Sequence, residues 1–297
     1  MKLASLFSVP RSGAPGVRPR DDELDLFGLT HPGCVRKENQ DHFLLCTVHP
    51  QVLVHATSLP DSQAVTAPGQ RIATLMLVAD GVGGGSAGSV ASRIATEAVT
   101  QYVSSALRGY HEGVATNEEQ FVTALRAAAL GAHEVVRAQA ESTRERRGMA
   151  TTLCLGIVVW PWMYVVQVGD SRCYYFTGGR LRLLTRDQTV AQQLVEDGAM
   201  SHDDLRTSPF SHVLASAIGA SEANPEITKV DVKERGSVIL LCTDGLTKHV
   251  SDEEIETAVR SMTSSEQVCR ALVQLALDRG GSDNVTLVVG RALKQRQ

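Results

Sequence analysis

The sequence predicts an α+β fold in which helices pack outside antiparallel sheets. Strand-like apolar runs follow one another along the chain as consecutive hairpins, and the helical segments come in pairs. A parallel sheet would require a regular alternation of strands and helices, and the pattern lacks it. No linker-like stretch divides residues 24–292, so we expect one domain there, between a flexible tail over 1–23 and a short tail over 293–297.

The first half of the chain combines three strands with a pair of helices. The strand-like runs lie at 24–31, 41–48 and 71–80. Residues 49–70 contain Pro, Ser and Gly and predict an inserted hairpin or loop. Helical character covers 86–106 and 117–142. The second helix begins at Asn117 with two glutamates in its first turn, as capping and the helix dipole favour.

The second half returns to strands and ends with another helix pair. Strands are predicted at 151–159, 162–169, 172–177, 181–184, 227–232 and 237–242. A mixed, partly helical stretch occupies 187–220. Helices at 251–261 and 264–278 precede a last strand, "NVTLVVGRAL".

The longest charge-free run, "TTLCLGIVVWPWMYVVQVG" at 151–169, is almost long enough for a membrane span. Pro161 lies at its centre, however, and both halves are rich in valine, isoleucine and aromatic residues. Two buried strands joined by a tight turn explain the run better. The N-terminal apolar patch is too brief for a signal peptide, so we expect a soluble protein without a membrane span.

Composition narrows the possible partners and the compartment. The 297 residues carry a net charge of −4 and 43% apolar side chains, enough for a sizeable core. The chain contains no block of basic residues, so we do not expect nucleic acid as a partner. The cysteines are scattered without any C-x-x-C pair, which is typical of buried thiols in a reducing cytoplasm. They are Cys34, Cys46, Cys154, Cys173, Cys242 and Cys269.

The glycine-rich elbow "VADGVGGGSAG" has three possible interpretations. As a nucleotide cradle it lacks both G-x-G-x-x-G and a following G-K-[ST]. As a serine hydrolase it offers Ser86 in G-x-S-x-G, with Asp244 and His249 in the right chain order, although four residues separate the strand from the turn. As a backbone turn it would expose the carboxylate of Asp80.

Aspartates at the ends of apolar strands favour the third interpretation. Aspartate is disfavoured in strands, yet five of the predicted strands each have an aspartate at one end. These residues are Asp41, Asp80, Asp170, Asp244 and Asp283. A preference of loops for aspartate would explain one or two of them. Five at one pole would repel one another unless a divalent cation lay between them. Oxygen ligands without a Cys/His set indicate magnesium or manganese rather than zinc.

Eight ordered motifs together resemble the metal-dependent protein phosphatases (PPM, type 2C). They are "VRKENQD", "VADGVGG", "GMATT", "VGDSR", "LLTRDQT", "ASAIGA", "LLCTDGL" and "GGSDNVT". The resemblance covers 24–292, and "NQD" makes it similar to the bacterial branch. It implies an α-β-β-α sandwich of two antiparallel sheets flanked by helix pairs, with a metal site at one end.

The resemblance also implies a function and a set of site residues. A protein serine/threonine phosphatase would hydrolyse phosphoserine and phosphothreonine with a water activated by two manganese or magnesium ions. The partners would be phosphorylated proteins, among them a bacterial serine/threonine kinase and its targets. The protein itself would be a monomer. Arg36 would bind the substrate phosphate, and Asp170 would help to hold a third ion. The two ions would be held by Asp41, Asp80, the Gly81 carbonyl, Asp244 and Asp283.

Three positions depart from the family pattern without removing a metal ligand. Val82 stands where some relatives have a histidine as a candidate general acid. Ala150 replaces a usual glycine, and Gln188 replaces a common histidine. The 49–70 insert is also longer than the corresponding spacing in bacterial relatives.

Other interpretations of the same residues remain open at this point. Arg36 could form a surface ion pair with Glu38, and Asp170 could bond to Arg172. The whole chain could be a serine hydrolase that uses Ser86, or a degenerate phosphatase-like domain that only binds. The intact aspartate set argues against the degenerate domain, because empty carboxylate clusters cost stability.

Overall fold

The structure of the protein is a computed structural model that describes residues 17–49, 71–111, 118–201, 203–205 and 208–294. The twelve strands in these ranges are β1 (Leu24–His31), β2 (His42–Val48), β3 (Ala73–Ala79), β4 (Gly81–Val82), β5 (Ala150–Thr151), β6 (Leu153–Val159), β7 (Trp162–Val168), β8 (Arg172–Thr177), β9 (Arg180–Leu183), β10 (Glu226–Asp231), β11 (Val238–Cys242) and β12 (Val285–Ala292). The α-helices are α1 (Ala87–His111), α2 (Glu118–Ser142), α3 (Val190–Glu196), α4 (Asp244–Thr247), α5 (Asp252–Arg260) and α6 (Ser265–Asp278).

Ten of the strands form two antiparallel sheets of five. One sheet has the order β1-β12-β11-β8-β9, and the other has the order β10-β7-β6-β3-β2. The short strands β4 and β5 pair with each other beside them. The charge-free run forms the β6–β7 hairpin, with Val159 opposite Trp162, as the central proline predicted. Nowhere in the described ranges is a helix long and apolar enough to cross a membrane.

Three groups of buried side chains build four layers. One group lies between the sheets and joins Met76 and Val165 of one sheet to Leu241 and Val288 of the other. A second joins the outer face of the β3 sheet to α1 and α2, and a third joins the β11 sheet to α5 and α6. The layers are therefore α-β-β-α, which confirms the predicted fold class.

The antiparallel pairing brings particular strand ends to one pole of the sandwich. His42 at the start of β2 pairs with Ala79 at the end of β3. Cys242 at the end of β11 pairs with Arg172 at the start of β8 and with Leu287 near the start of β12. These are the ends at which the five aspartates stand in the sequence.

Some elements differ from the expectation. The four-residue helix α4 was not predicted, because one turn is too short to show a helical period. The strand expected over 151–159 is divided at Thr152 into β5 and β6. Residues 50–70 of the insert and the expected cap Asn117 lie outside the described residues.

The described part of the N-terminal tail contacts the sandwich. A 3₁₀ turn covers Asp21–Glu23. The buried guanidinium of Arg71 donates to the Pro19 carbonyl oxygen at 2.7 Å and forms an ion pair with Asp21. The domain boundary at residue 24 and the flexibility of the tail stay predictions.

The cysteines follow the expected pattern with two exceptions, the half-buried Cys46 and the exposed Cys34. All six are free thiols, and four of them are buried. Burial raises the pKa of the Cys242 thiol, which keeps it protonated and unreactive. Cys34 is exposed instead, because its loop lies outside the sheets and leads to Arg36.

Candidate metal centre

One pole of the sandwich holds a cavity of about 760 Å³ whose wall includes four acidic side chains. Four of the predicted site aspartates and Arg36 lie in its wall, while Asp41 is buried beside them. We call the five carboxylates the aspartate cluster: Asp41, Asp80, Asp170, Asp244 and Asp283. The fold thus brings together side chains that are up to 242 residues apart in sequence.

The elbow after β3 places Asp80 at the cavity. Its backbone N–H donates to the Thr152 hydroxyl at 2.9 Å, and the Thr152 N–H donates to its carbonyl oxygen at 2.9 Å. Gly81 then pairs with Thr151 in the β4–β5 ladder. A Cβ atom at Gly81 would lie 2.2 Å from the Gly88 carbonyl oxygen, so only glycine fits this turn.

Asp41 is held by hydroxyl groups from the opposite sheet. Thr243 and Thr286 donate to its Oδ2 atom at 2.9 and 2.7 Å. Its Oδ1 atom is buried without a hydrogen-bond partner. Burial, with a smaller contribution from the charges of Asp244 and Asp283, raises the pKa of Asp41 to about 7. A buried carboxylate with one unpartnered oxygen suits a ligand that supplies positive charge.

Asp80 and Asp170 have raised pKa values for the same reason. Burial contributes most, and the neighbouring carboxylates add to it, so the pKa of each lies well above its ordinary value. Arg172 donates two hydrogen bonds to Asp187, at 2.9 and 2.7 Å, and not to Asp170. The alternative interpretation of Asp170, an ion pair with Arg172, is therefore wrong.

Gln188 positions the turn that carries Asp170. Its Oε1 atom accepts from the Gly169 N–H at 2.9 Å, and its Nε2 atom donates to the Asn224 carbonyl oxygen at 3.0 Å. Glutamine can therefore occupy this position, where relatives often have histidine, and still fix the loop before Asp170.

Asp244 and Asp283 contact cationic side chains. Lys248 Nζ lies 2.6 Å from Asp244 Oδ2 and 2.8 Å from Asp283 Oδ2. Arg36 binds Asp283 through two bonds, Nε–Oδ1 at 2.8 Å and Nη2–Oδ2 at 3.0 Å. Burial alone would raise the pKa of Asp283, but the bonds from these two cations outweigh it and leave the pKa below its ordinary value.

Sequence reasoning missed Lys248 and the actual partner of Arg36. The lysine stands four residues after Asp244 on α4, a spacing at which opposite charges meet on a helix, so a local signal was available. No local signal existed for Arg36, since its partner Asp283 is 247 residues away and the adjacent Glu38 is not its partner.

Asn284 ties the loop that carries Arg36 to the start of β12. Its Oδ1 atom accepts from the Gln40 N–H at 2.8 Å, and its Nδ2 atom donates to the carbonyl oxygens of Pro32 and Glu38 at 2.9 Å. The loop position, and with it the guanidinium of Arg36, therefore depends on an amide that follows Asp283 directly.

The aspartate cluster fits divalent ions by its chemistry. Asp41 Oδ1 and Asp244 Oδ1 are buried oxygens without a hydrogen-bond partner, and all of the cluster side chains offer oxygen. In the part of the chain that the structure describes, however, no three His, Cys, Asp or Glu side chains surround one point as metal ligands. Lys248 and Arg36 instead contact oxygens of Asp244 and Asp283. The assignment of individual ligands stays a prediction.

The serine-hydrolase arrangement is not formed at the elbow. Ser86 lies in the turn before α1. The imidazole that it would need belongs to His249, whose Nε2 atom lies 2.9 Å from the Ser282 hydroxyl and accepts from the Ser282 N–H at 3.0 Å. The histidine is therefore engaged with a different serine.

Comparison with known proteins identifies a family. A family model described as protein phosphatase 2C matches residues 58–279. The serine/threonine protein phosphatase PstP of Mycobacterium tuberculosis is 33% identical over 217 residues, which cover 73% of this chain and 40% of that protein. The chain thus matches less than half the length of this relative. The serine/threonine phosphatase stp of Listeria welshimeri is 32% identical over 224 residues, 75% of this chain and 86% of that protein.

Solved structures agree with the sequence comparison. The catalytic domain of PstP, crystallised in complex with two manganese ions, superposes with a TM-score of 0.68 at 27% identity. The match covers 91% of this chain and 98% of the PstP domain. The likeness therefore extends over both sheets and the helices outside them.

Proposed function

The chain belongs to the protein phosphatase 2C family, and from this premise we propose that it is a metal-dependent protein serine/threonine phosphatase. The observation that carries the proposal is the aspartate cluster, in which two buried carboxylate oxygens lack a partner beside an exposed arginine. Such a cluster favours divalent cations, and arginine favours phosphate.

Two manganese or magnesium ions are proposed as cofactors, in keeping with the two manganese ions of the PstP domain. Their ligands would be Asp41, Asp80, the Gly81 carbonyl, Asp244 and Asp283, with Asp170 available for a third ion. When bound, the ions acidify a water molecule for attack on phosphorus and offset charge on the phosphoryl oxygens.

Arg36 is proposed to bind the substrate phosphate. Its side chain is 56% exposed and lines the cavity. Arginine has five N–H donors, of which Asp283 accepts two, so the planar guanidinium is already oriented and keeps donors for phosphate oxygens. The carboxylate of Asp283 would then act both as a metal ligand and as the group that orients Arg36.

The threonines around Asp41 are proposed to keep its carboxylate in one orientation. Two hydroxyl donors on Oδ2 leave Oδ1 as the oxygen that can approach a cation. No side-chain nucleophile is needed, because water attacks phosphorus directly. Ser86 and the buried cysteines therefore have no part in the proposed reaction.

The proposed substrates are phosphoserine and phosphothreonine proteins, and the proposed opposing enzyme is a bacterial serine/threonine kinase. The names of the Mycobacterium and Listeria relatives support this substrate class. We further propose a monomer in the cytoplasm. The six free thiols among the described residues support a reducing compartment.

The test is hydrolysis of para-nitrophenyl phosphate and of a phosphothreonine peptide, with manganese, with magnesium and in EDTA. We expect turnover with either ion and loss of turnover in EDTA. Ser86→Ala should retain full activity. Metal-independent ester hydrolysis that Ser86→Ala abolishes would favour a serine hydrolase. Tight phosphopeptide binding without turnover under any metal condition would favour a binding module.

A further inference from the structure

Lys248 places a permanent positive charge inside the aspartate cluster. Its ammonium group bridges two carboxylates that belong to different elements, Asp244 at the start of α4 and Asp283 before β12. The lysine side chain is only 21% exposed. One ammonium group thus contacts two of the five aspartates.

The charge of Lys248 is kept by its surroundings. Two charge-assisted contacts, at 2.6 Å to Asp244 and at 2.8 Å to Asp283, stabilise the ammonium form in this enclosed position. Among the described residues, Arg36 also contacts the cluster, at Asp283, and its side chain is 56% exposed. Lys248 is therefore the more enclosed of the two counter-charges.

An ammonium group and a metal ion would compete for these two carboxylates. Ammonium has three N–H donors and no lone pair, so Lys248 cannot become a ligand. A dication bound by Asp244 and Asp283 would repel an ammonium within hydrogen-bond distance of the same carboxylates. Lysine has a flexible four-carbon stem, and the cavity of about 760 Å³ offers room for another position of its end.

We propose that Lys248 is a built-in counter-cation of the aspartate cluster, which holds Asp244 and Asp283 together without metal and must leave them before a divalent ion binds. The inference rests on the proposed function in that the cluster is taken as a metal site. Metal binding in this protein is then an exchange of one cation for another. Lys248 lowers the affinity for the ion and stabilises the metal-free fold.

The experiment compares manganese binding and thermal unfolding in Lys248→Met and Lys248→Gln with the unmodified chain. Calorimetric titration should give at least about tenfold tighter manganese binding in both variants, because the ion no longer displaces charge-assisted hydrogen bonds. In EDTA both variants should unfold several degrees lower, since two carboxylates lose their counter-charge. Neither readout depends on phosphatase turnover.

Lys233→Met is the matched control. Lys233 forms an ion pair with Asp231 at 2.6 Å, but at the opposite end of the sandwich and with 63% of its side chain exposed. Its loss should change neither manganese affinity nor the unfolding temperature in EDTA. Lys248 variants that bind manganese no more tightly, or that unfold in EDTA at the unmodified temperature, would overturn the proposal. If no protein binds manganese, the proposed function fails, and unfolding in EDTA still decides the counter-cation role.

Discussion

The five aspartates of the cluster differ in how the fold compensates their charge. Asp244 and Asp283 contact cations, whereas Asp80 and Asp170 have raised pKa values because their carboxyl groups lose solvent beside other carboxylates. Asp41 lies between these cases, since two threonine hydroxyls stabilise one of its oxygens. Substitutions of single aspartates should therefore have different effects on stability even where their effects on activity agree.

The substitutions Asp80→Asn and Asp244→Asn compare an aspartate with a raised pKa and an aspartate that contacts a cation. Both should lower kcat by orders of magnitude with manganese, because each removes a proposed metal ligand. In EDTA, Asp80→Asn should keep or raise the unfolding temperature by relieving repulsion, whereas Asp244→Asn should lower it by breaking the 2.6 Å pair with Lys248. Phosphopeptide kinetics and thermal unfolding measure the two effects. Near-normal kcat in both variants would contradict the assigned ligands.

Arg36→Ala tests the phosphate role. Loss of a charge-assisted contact costs about 1.5–3 kcal/mol, so kcat/KM should fall roughly ten- to two-hundred-fold. Arg36→Lys should recover only part of the loss, because lysine lacks the planar fork. Arg93→Ala is the control, since Arg93 forms an exposed ion pair with Glu97 along α1. Unchanged kinetics in Arg36→Ala would contradict the phosphate role and leave Arg36 with a structural role as the ion-pair partner of Asp283.

Asp41 makes the metal-free protein less stable at higher pH. Its pKa is about 7 in the folded chain, against an ordinary value near 3.8, so folding favours the protonated form. The resulting stabilisation is complete below about pH 4 and is lost as the pH rises through 7. Urea unfolding in EDTA should give a free energy lower at pH 8 than at pH 5 by on the order of a few kcal/mol. Asp41→Asn should make this dependence less steep, while Asp80 and Asp170, whose pKa values are also raised, keep part of it. An equally steep dependence in the variant would contradict the assignment.

At the scale of elements, the elbow between β3 and α1 sets the position of Asp80. The turn is packed from two sides, because Gly81 lies against the carbonyl oxygens of both Gly88 and Gln40. The β4–β5 ladder and the hydrogen bonds with Thr152 hold its other edge. The orientation of this carboxylate thus depends on close backbone packing rather than on a side-chain partner.

Gly81→Ala should disrupt the elbow, whereas Gly84→Ala should not. A Cβ at Gly81 would lie 2.2 Å from one carbonyl oxygen and 2.6 Å from another, so backbone must shift. We expect a loss of about 1–3 kcal/mol in stability together with reduced kcat. A Cβ at Gly84 meets nothing within 4 Å, which makes it a control in the same turn. Equal behaviour of the two variants, by urea unfolding and phosphopeptide kinetics, would show that close packing at Gly81 is unimportant.

At the scale of the whole molecule, the candidate metal centre joins the two sheets. Asp41 and Asp80 stand at ends of β2 and β3, whereas Asp244 and Asp283 stand at ends of β11 and β12 in the other sheet. The buried side chains between the sheets therefore determine how far apart the two pairs of carboxylates lie. Core packing stabilises the folded chain between the sheets, and metal binding would stabilise it at one pole of the sandwich.

Leu241→Ala should lower stability without removing the response to metal. Leu241 is fully buried between the sheets, so we expect a loss of about 2–5 kcal/mol in the free energy of unfolding. Manganese should still raise the unfolding temperature, because stabilisation by a ligand depends on its concentration relative to Kd. Leu183→Ala is the control, since Leu183 is 41% exposed on β9. Loss of the manganese response in Leu241→Ala would contradict this and show that one truncation in the core displaces the carboxylates.

The kinds of elements, most of their bounds and the residues at the strand ends could be predicted from the amino-acid sequence alone. Hydrophobic period and turn residues are local properties, so the β6–β7 hairpin and the helix pairs could be predicted from short windows. The aspartates stood out for a similar reason, because an acidic residue directly beside an apolar run is visible without any knowledge of the fold. The resemblance of eight ordered motifs supplied the family.

The groups that compensate the charge of those aspartates became visible only in the folded chain. Arg36 meets Asp283 across 247 residues, and Thr286 reaches Asp41 across 245, so neither contact could be read from neighbouring positions. The partnerless oxygens of Asp41 and Asp244 are likewise a result of burial. Electrostatic energies depend on distance and on the loss of solvent, and both exist only once the two sheets have packed.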